Sequence, residues 1–306
     1  MTFETVPFAE CEPLLDWQAL GEAIVAGHTL PRAQVEDSLL RRGEDTLLSR
    51  SAWIDGLGLA VKSATIFPAN AASGKGTVNG GVSLYDDTDG MLEAVLDFHL
   101  VTRWKTAGDS LLAARLLARP DSRRILIVGA GTVARSLREA YASLFPQAEF
   151  AVWSRSAVSA QTLAAEYPDT TVTDDLEAAV RAADIVTCAT MTNAPLILGD
   201  WLQPGQHVDL IGAYRPDMRE ADDVAMRRAR VFVDSRETTL DHIGELIAPL
   251  KSGAITRDDV VADFYDIASG SFARNSQTEI TLFKNGGGAH LDLMTSRYIL
   301  ERWRAR

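Results

Sequence analysis

The sequence is short of cysteine. Only Cys11 and Cys188 occur among 306 residues, far apart, which excludes a disulfide-stapled scaffold and points to a reducing compartment, the cytoplasm. Two thiols are too few for a cysteine-built metal centre. The five histidines, His28, His99, His207, His242 and His290, are scattered with no H-E-x-x-H or paired spacing, so no metal is expected. No apolar run approaches the roughly 18 residues of a membrane span. The opening M-T-F-E-T-V-P-F-A-E has neither the basic start nor the apolar stretch of a secretory leader. Positive charge is in deficit as well: 30 Lys and Arg against 42 Asp and Glu leave a net charge of −12. Such a field disfavours nucleic acid and anionic membrane as partners. Internal repeats and low-complexity segments are also lacking.

What is present is a chain with 46% hydrophobic residues, long enough for two domains with cores of their own. Its organising stretch is R-I-L-I-V-G-A-G-T-V-A-R-S-L, Arg124 to Leu137. The run Ile125 to Val128 suits a strand buried on both faces. Gly129, Gly131 and Ala134 follow at G-x-G-x-x-A spacing. The first glycine permits the tight turn, the second lets a pyrophosphate approach the backbone, and the small third residue lets the next helix pack on the strand. Thr132, Val133 and Ala134 then open a helix whose free N–H groups suit a phosphate. These residues predict a nicotinamide dinucleotide site.

Up to about residue 122 the pattern predicts an α+β domain on a largely antiparallel sheet. A helix is expected over Asp16–Thr29, and strands over Asp45–Phe67, Thr77–Tyr85 and Met91–Phe98. Thr102 is read as the N-cap of a helix reaching Ala118. From 123 to 287 strands and helices alternate, as in a doubly wound α/β Rossmann domain. Glu279–Phe283 reads as its last strand, and an amphipathic helix, Leu291–Trp303, is expected to pack back on the first domain, so that 288–306 completes it. The fold class is α/β: a doubly wound Rossmann domain plus an α+β domain.

The end of the second Rossmann strand bears on the choice of nicotinamide cofactor. An acidic residue there would bind a ribose 2′-hydroxyl. The sequence instead has Trp153, Ser154, Arg155 and Ser156, an arginine and two hydroxyls suited to a 2′-phosphate. NADPH is therefore preferred to NADH. Further cofactor contacts are expected at strand ends: Cys188, Ala189 and Thr190, then Ile211, Gly212 and Ala213, with Lys284 completing the cleft.

Two lysines stand in unusual places. Lys62 interrupts the apolar strand L-A-V-K-S-A-T-I-F; it either points outward or meets an anion. Lys105 lies near a helix start, where the dipole does not favour a cation unless an anion shares the site.

Four stretches in order carry a family resemblance: V-K-S-A-T-I-F-P-A-N-A-A-S-G-K-G-T-V-N-G-G-V-S-L-Y-D, T-R-W-K-T-A-G-D-S-L-L-A-A-R-L-L-A-R, I-L-I-V-G-A-G-T-V-A and F-K-N-G-G-G-A-H-L-D. Together they resemble the ornithine cyclodeaminase/μ-crystallin family. The resemblance implies that the α+β domain is a substrate-binding and dimerisation domain, that the protein is a homodimer, and that Lys62, Thr77 and Lys105 hold the substrate carboxylate, with Lys62 also able to act in proton transfer. Two departures stand out. The family often has arginine where this chain has Lys105, and lysine loses the bidentate fork. In D-L-I-G-A-Y-R-P-D-M-R-E, Tyr214 occupies the place of the acidic residue that cyclodeaminases use on an amino group. A neutral tyrosine disfavours ornithine cyclodeamination and resembles the Δ1-pyrroline-2-carboxylate reductase branch. The implied substrate is a cyclic imino acid reduced to L-proline or L-pipecolate, with Lys62 or Tyr214 as proton donor. Amino-acid deamination, and a non-catalytic NADPH-binding role of the crystallin kind, are the alternatives.

Overall fold

Alternating burial along Gly58–Ile66 sets the first sheet: Gly58, Ala60, Lys62 and Ala64 point inward while their neighbours face out. In the computed structural model, which describes residues 3–306, this strand is β4 of a six-stranded sheet. Its companions are β1 (Glu4–Val6), β2 (Gln34–Arg42), β3 (Asp45–Ile54), β5 (Val78–Tyr85) and β6 (Leu92–Asp97), in the order β1-β6-β5-β4-β3-β2. All neighbours are antiparallel except β1 and β6. Small inward residues flanking Lys62 leave room for its long side chain. Helices α1 (Phe8–Cys11), α2 (Trp17–His28) and the start of α3 (Phe98–Leu117) belong to the same unit, as does the last helix. Asp16 caps α2, its carboxylate accepting from Ala19 N at 2.8 Å. Trp17 stacks on Trp104 with ring centroids 3.8 Å apart.

Thr102 is not a cap. Helix α3 begins four residues earlier, because Asp97 Oδ1 accepts from His99 N at 2.8 Å and Leu100 N at 3.0 Å. Strand β2 lacks a sequence signature because it is an outer strand, exposed along most of its length.

The second unit is an eight-stranded, wholly parallel sheet. In chain order it contains β7 (Arg124–Val128), α4 (Thr132–Leu144), β8 (Glu149–Trp153), α5 (Ala157–Glu166), β9 (Thr170–Val172), α6 (Leu176–Ala182), β10 (Ile185–Cys188) and β11 (His207–Leu210). There follow α7 (Asp223–Arg228), β12 (Ala229–Val233), α8 (Arg236–Thr239), α9 (Gly244–Ser252), β13 (Val260–Ala262) and β14 (Ile280–Lys284). The order β13-β12-β14-β11-β10-β7-β8-β9 reverses direction beside β7, the switch point where doubly wound sheets bind ligands. β14 is last in sequence but interior, between β11 and β12. Helix α10 (Ala289–Arg304) returns to the first unit.

The units divide as Met1–Lys105 with Gly287–Arg306, and Thr106–Gly286. The first division falls inside α3 rather than at residue 122. The reason is that α3 beyond Lys105 is bonded into the parallel unit: Asn285 Nδ2 donates to Thr106 O at 3.0 Å, and Ser110 Oγ to Asp209 Oδ1 at 2.9 Å. Among the described residues, no helix is long and apolar enough to cross a membrane.

Candidate active site

Arg50 and Lys62 are direct cross-strand partners on β3 and β4. Like charges in that relationship repel, so the pair requires an anion. Asp292, on α10, supplies one: Lys62 Nζ donates to its Oδ1 at 2.9 Å, with both side chains buried. Lys62 Nζ also lies 4.9 Å from the centroid of the Phe98 ring. Arg50 Nη1 and Lys105 Nζ converge on one acceptor, Gly287 O, at 2.7 and 3.2 Å. The outer side of Arg50 is held by Asp37, whose two carboxylate oxygens accept from Nε at 3.1 and 3.0 Å. Three cations and two carboxylates thus meet where α10 begins.

The electrostatics follow from burial. Desolvation lowers the Lys62 ammonium from 10.5 to about 8; Asp292 opposes that fall, and Lys105 and Arg50 add to it. Burial works against ionisation of Asp292, but Lys62, Lys105 and Arg50 together outweigh it and hold the carboxyl below its ordinary value. Asp292 Oδ2 is buried and accepts no hydrogen bond among the described residues. His290, close by on α10, is kept neutral mainly by burial, and its ring meets His28 edge-on at 5.4 Å.

Lys62 and Lys105, predicted from sequence, are therefore brought together. Thr77 is not with them. It precedes β5 and its carbonyl accepts from Phe67 N at 2.8 Å, whereas the strand partner of Lys62 is Val82, five residues further along. That is roughly 16 Å of strand at about 3.3 Å per residue. Tyr214 belongs to the second unit, on the loop after β11; it is 56% exposed and lies beside the Arg215 guanidinium. Arg50 and Asp292 escaped sequence reasoning. The signal for Arg50 was an arginine inside the strand R-S-A-W-I, one hairpin turn before an inward lysine. Asp292 closes the stretch F-K-N-G-G-G-A-H-L-D that carries part of the family resemblance, but nothing local marks it as the partner of Lys62, 230 residues away.

In the second unit the glycine loop has the predicted form. Gly129 has φ +116°, and a Cβ there would lie 2.7 Å from Ala189 O, so only glycine fits. A Cβ on Gly131 would meet nothing within 4 Å. Gly131 is the N-cap of α4 and offers no side-chain bond to its first turn, Thr132, Val133 and Ala134. An uncapped helix start behind an open glycine fits the phosphates of a dinucleotide. Arg135 braces the loop: Nη1 donates to Ala130 O at 3.0 Å, while Glu166 holds its other nitrogens at 2.6 and 2.7 Å. After β8, Ser154 is half-buried and Arg155 and Ser156 are exposed. Ser156 Oγ caps α5, accepting from Ser159 N at 3.2 Å.

The other predicted cofactor contacts divide. Thr190 N and Oγ1, Gly212 N and Ala213 N all donate to Glu220, so these polar groups organise the strand ends instead of facing a ligand. Ala189 and Gly212 are partly exposed, whereas Ile211 is 8% exposed. Cys188 is buried, which raises its thiol far above the ordinary value and makes it a packing residue. Lys284 is a correction. It has no exposed surface, and its ammonium donates inward to Leu210 O at 2.8 Å; it ties β14 to β11 and has no face for a cofactor.

The chain is 55% identical over 291 residues to a Delta(1)-pyrroline-2-carboxylate reductase of Paracoccus denitrificans, covering 93% of this chain and 92% of that one. Among solved structures it is similar to the Delta(1)-pyrroline-2-carboxylate reductase of Thermococcus litoralis in complex with NADH and L-proline. There the TM-score is 0.91 at 26% identity, over 99% of this chain and 98% of the other. An archaeal alanine dehydrogenase dimer with bound NAD matches with a TM-score of 0.90 at 25% identity, over 100% and 97% of the two chains. The model of the ornithine cyclodeaminase/mu-crystallin family matches residues 52–306, and the chain belongs to that family.

Proposed function

We propose that this protein is a nicotinamide-dependent reductase of a cyclic imino acid, converting Δ1-pyrroline-2-carboxylate to L-proline and accepting the six-membered homologue. The observation that carries the reading is the convergence of three cations, Arg50, Lys62 and Lys105, where α10 begins, with Lys62 buried on Asp292 and Arg50 and Lys105 sharing Gly287 O. Such a cluster suits a substrate carboxylate. Lys62 and Lys105 hold that carboxylate, with Arg50 beside them, and burial strengthens the attraction. Thr77 and Tyr214 are not needed for this anchor.

When bound, the reduced nicotinamide supplies the hydride to the imine carbon. The protein's own part is to fix the carboxylate next to that carbon, exclude water and protonate nitrogen. The C=N bond becomes a C–N single bond, and the nitrogen gains one proton. Lys62 is the proton source. It is buried, its acidity is raised towards neutrality, and Asp292 holds its Nζ in place. The first-turn amides of α4 and the open Gly131 hold the pyrophosphate. Arg155, exposed at the end of β8 with no acidic neighbour on that turn, favours the 2′-phosphate of NADPH.

The protein acts as a homodimer. Leu39, Leu40 and Leu47 on the outer hairpin of β2 and β3, with Val78, are exposed apolar residues suited to burial against a second copy. The site of action is the cytoplasm, in keeping with two unpaired cysteines.

The test is the rate of NADPH oxidation with Δ1-pyrroline-2-carboxylate, beside NADH and beside L-ornithine with NAD. Turnover of the imine and none of ornithine supports the reading. Ornithine turnover, or NADPH binding with no imine turnover, sinks it.

A further inference from the structure

Within the parallel unit, the ends of β10 and β11 touch. Gly212 lies so close to Thr190 that a Cβ would fall 2.1 Å from Thr190 O and 2.2 Å from Thr190 N. One buried side chain closes the junction. Glu220 Oε1 accepts from Thr190 N at 2.7 Å and from Thr190 Oγ1 at 2.9 Å. Its Oε2 accepts from Gly212 N at 2.6 Å and from Ala213 N at 3.2 Å. Glu220 has no exposed surface. Its own backbone is held by a second buried acid: Glu245 accepts from Glu220 N at 2.7 Å and from Ala221 N at 2.9 Å. Burial, and then the charge of Glu220, raise Glu245 above the ordinary carboxyl value. Two adjacent buried acids are a costly arrangement for a mere core.

The position of the clamp gives its use. In the sheet order, β7, β8 and β9 form one mononucleotide half, with the glycine loop at its edge, while β10, β11 and β14 form the other. Thr190, Gly212 and Ala213 therefore stand at the carboxyl ends of the half that takes the nicotinamide nucleotide, away from the adenosine. We propose that Glu220 is a positioning residue for the nicotinamide half of the cofactor. It satisfies the strand-end amides in one fixed arrangement, so that the surface beneath the reactive ring is set before the cofactor arrives. This rests on the dinucleotide reading of the glycine loop.

Glu220→Gln separates this role from general support of the fold. The amide keeps the size of the side chain but turns one acceptor into a donor, which then faces amides on one of the two strand ends. The full chain is titrated with NADPH, and separately with adenosine 2′,5′-bisphosphate, which carries only the adenosine half. Glu220→Gln is expected to weaken NADPH at least tenfold, leave adenosine 2′,5′-bisphosphate within twofold, and lower kcat as well as raising the NADPH KM. Equal weakening of both ligands, or no weakening of either, overturns the proposal. If Glu220→Gln does not fold, Glu220→Asp keeps both acceptor oxygens on a shorter arm, and the same split is expected at smaller size. Wild-type protein that binds neither ligand overturns the dinucleotide reading, and the clamp's assignment with it.

Discussion

Arg50 and Lys62 face each other across β3 and β4, two cations at one register position, and each reaches the start of α10: Lys62 through Asp292 Oδ1 and Arg50 through Gly287 O. Repulsion across a strand pair is tolerated where a binding site needs it. Lys62→Met should lower kcat/KM for the imine at least 100-fold and leave the NADPH dissociation constant within twofold. The same change strands Asp292 in the interior, which costs about 3–5 kcal/mol when one partner of a buried pair is removed. Lys62→Met/Asp292→Leu should regain most of that stability in thermal melts and none of the activity. Equal activity in Lys62→Met and wild type would remove Lys62 from the site.

The acidity of Lys62 sets a pH dependence. Burial lowers it from 10.5 to about 8, so the ammonium persists below that pH and is lost above it. The slope of log kcat/KM should pass from flat to a fall of about tenfold per pH unit. The stability effect has the opposite sign. Between about 8 and 10.5 the unfolded chain holds the lysine proton and the folded chain does not, so the penalty of burying this charge is relieved as pH rises through that window. Asp292 raises the Lys62 value, so Asp292→Asn should move the kinetic break to lower pH. A break that stays in place in Asp292→Asn would show that another group titrates.

Tyr214 and Lys62 were equal candidates for the proton on sequence grounds. The structure separates them: Lys62 is 6% exposed among charges and Tyr214 is 56% exposed on a loop. Tyr214→Phe should keep kcat for imine reduction within about threefold. A hundredfold fall in kcat, with KM unchanged, would return the proton-donor role to the tyrosine.

How much of this was legible in the chain depends on sequence distance. The strand, glycine loop and helix from Arg124 to Leu137 could be read because all their determinants are local. The inward lysine could be read because alternation along β4 is local too. What paired with it could not, because Asp292 comes from the far end of the chain and Arg50 from a strand whose register only the folded hairpin fixes. The division inside α3 was hidden for a similar reason: the residues that draw Thr106 and Ser110 to the parallel unit are Asn285 and Asp209. Strand-end residues were read as cofactor contacts by their position alone; the sequence has no mark that their amides are taken by Glu220. Lys284 misled because a lysine at a strand end suggests a ligand, while the carbonyl it serves lies on the neighbouring strand.

The proposed preference for NADPH rests on Arg155. It is exposed at the turn after β8, beside Ser154 and Ser156, and no carboxylate stands on that turn. A charge-assisted bond to a 2′-phosphate contributes about 1.5–3 kcal/mol. Arg155→Ala should therefore raise the KM for NADPH roughly 10- to 100-fold and change that for NADH by less than twofold. Equal effects on both cofactors would place Arg155 outside the site.

Gly129 and Gly131 stand two residues apart in one loop, yet alanine should fail at them for different reasons. At Gly129 the backbone has φ +116° and the new methyl would meet Ala189 O at 2.7 Å, so Gly129→Ala should destabilise the fold itself, by about 1–3 kcal/mol for the backbone conformation alone. At Gly131 the backbone has φ −86° and ψ −167°, extended values that alanine accepts, and the methyl would enter open space. Gly131→Ala should keep the wild-type melting temperature within about 2 °C, since a surface change of this kind alters stability by no more than ~0.5 kcal/mol. The space it fills is where the pyrophosphate must approach the backbone, so cofactor binding should weaken tenfold or more. Calorimetry and NADPH titration on the two variants give the contrast. Gly131→Ala with unchanged NADPH affinity would mean that the phosphates do not lie over this glycine, and the open space before α4 would need another occupant.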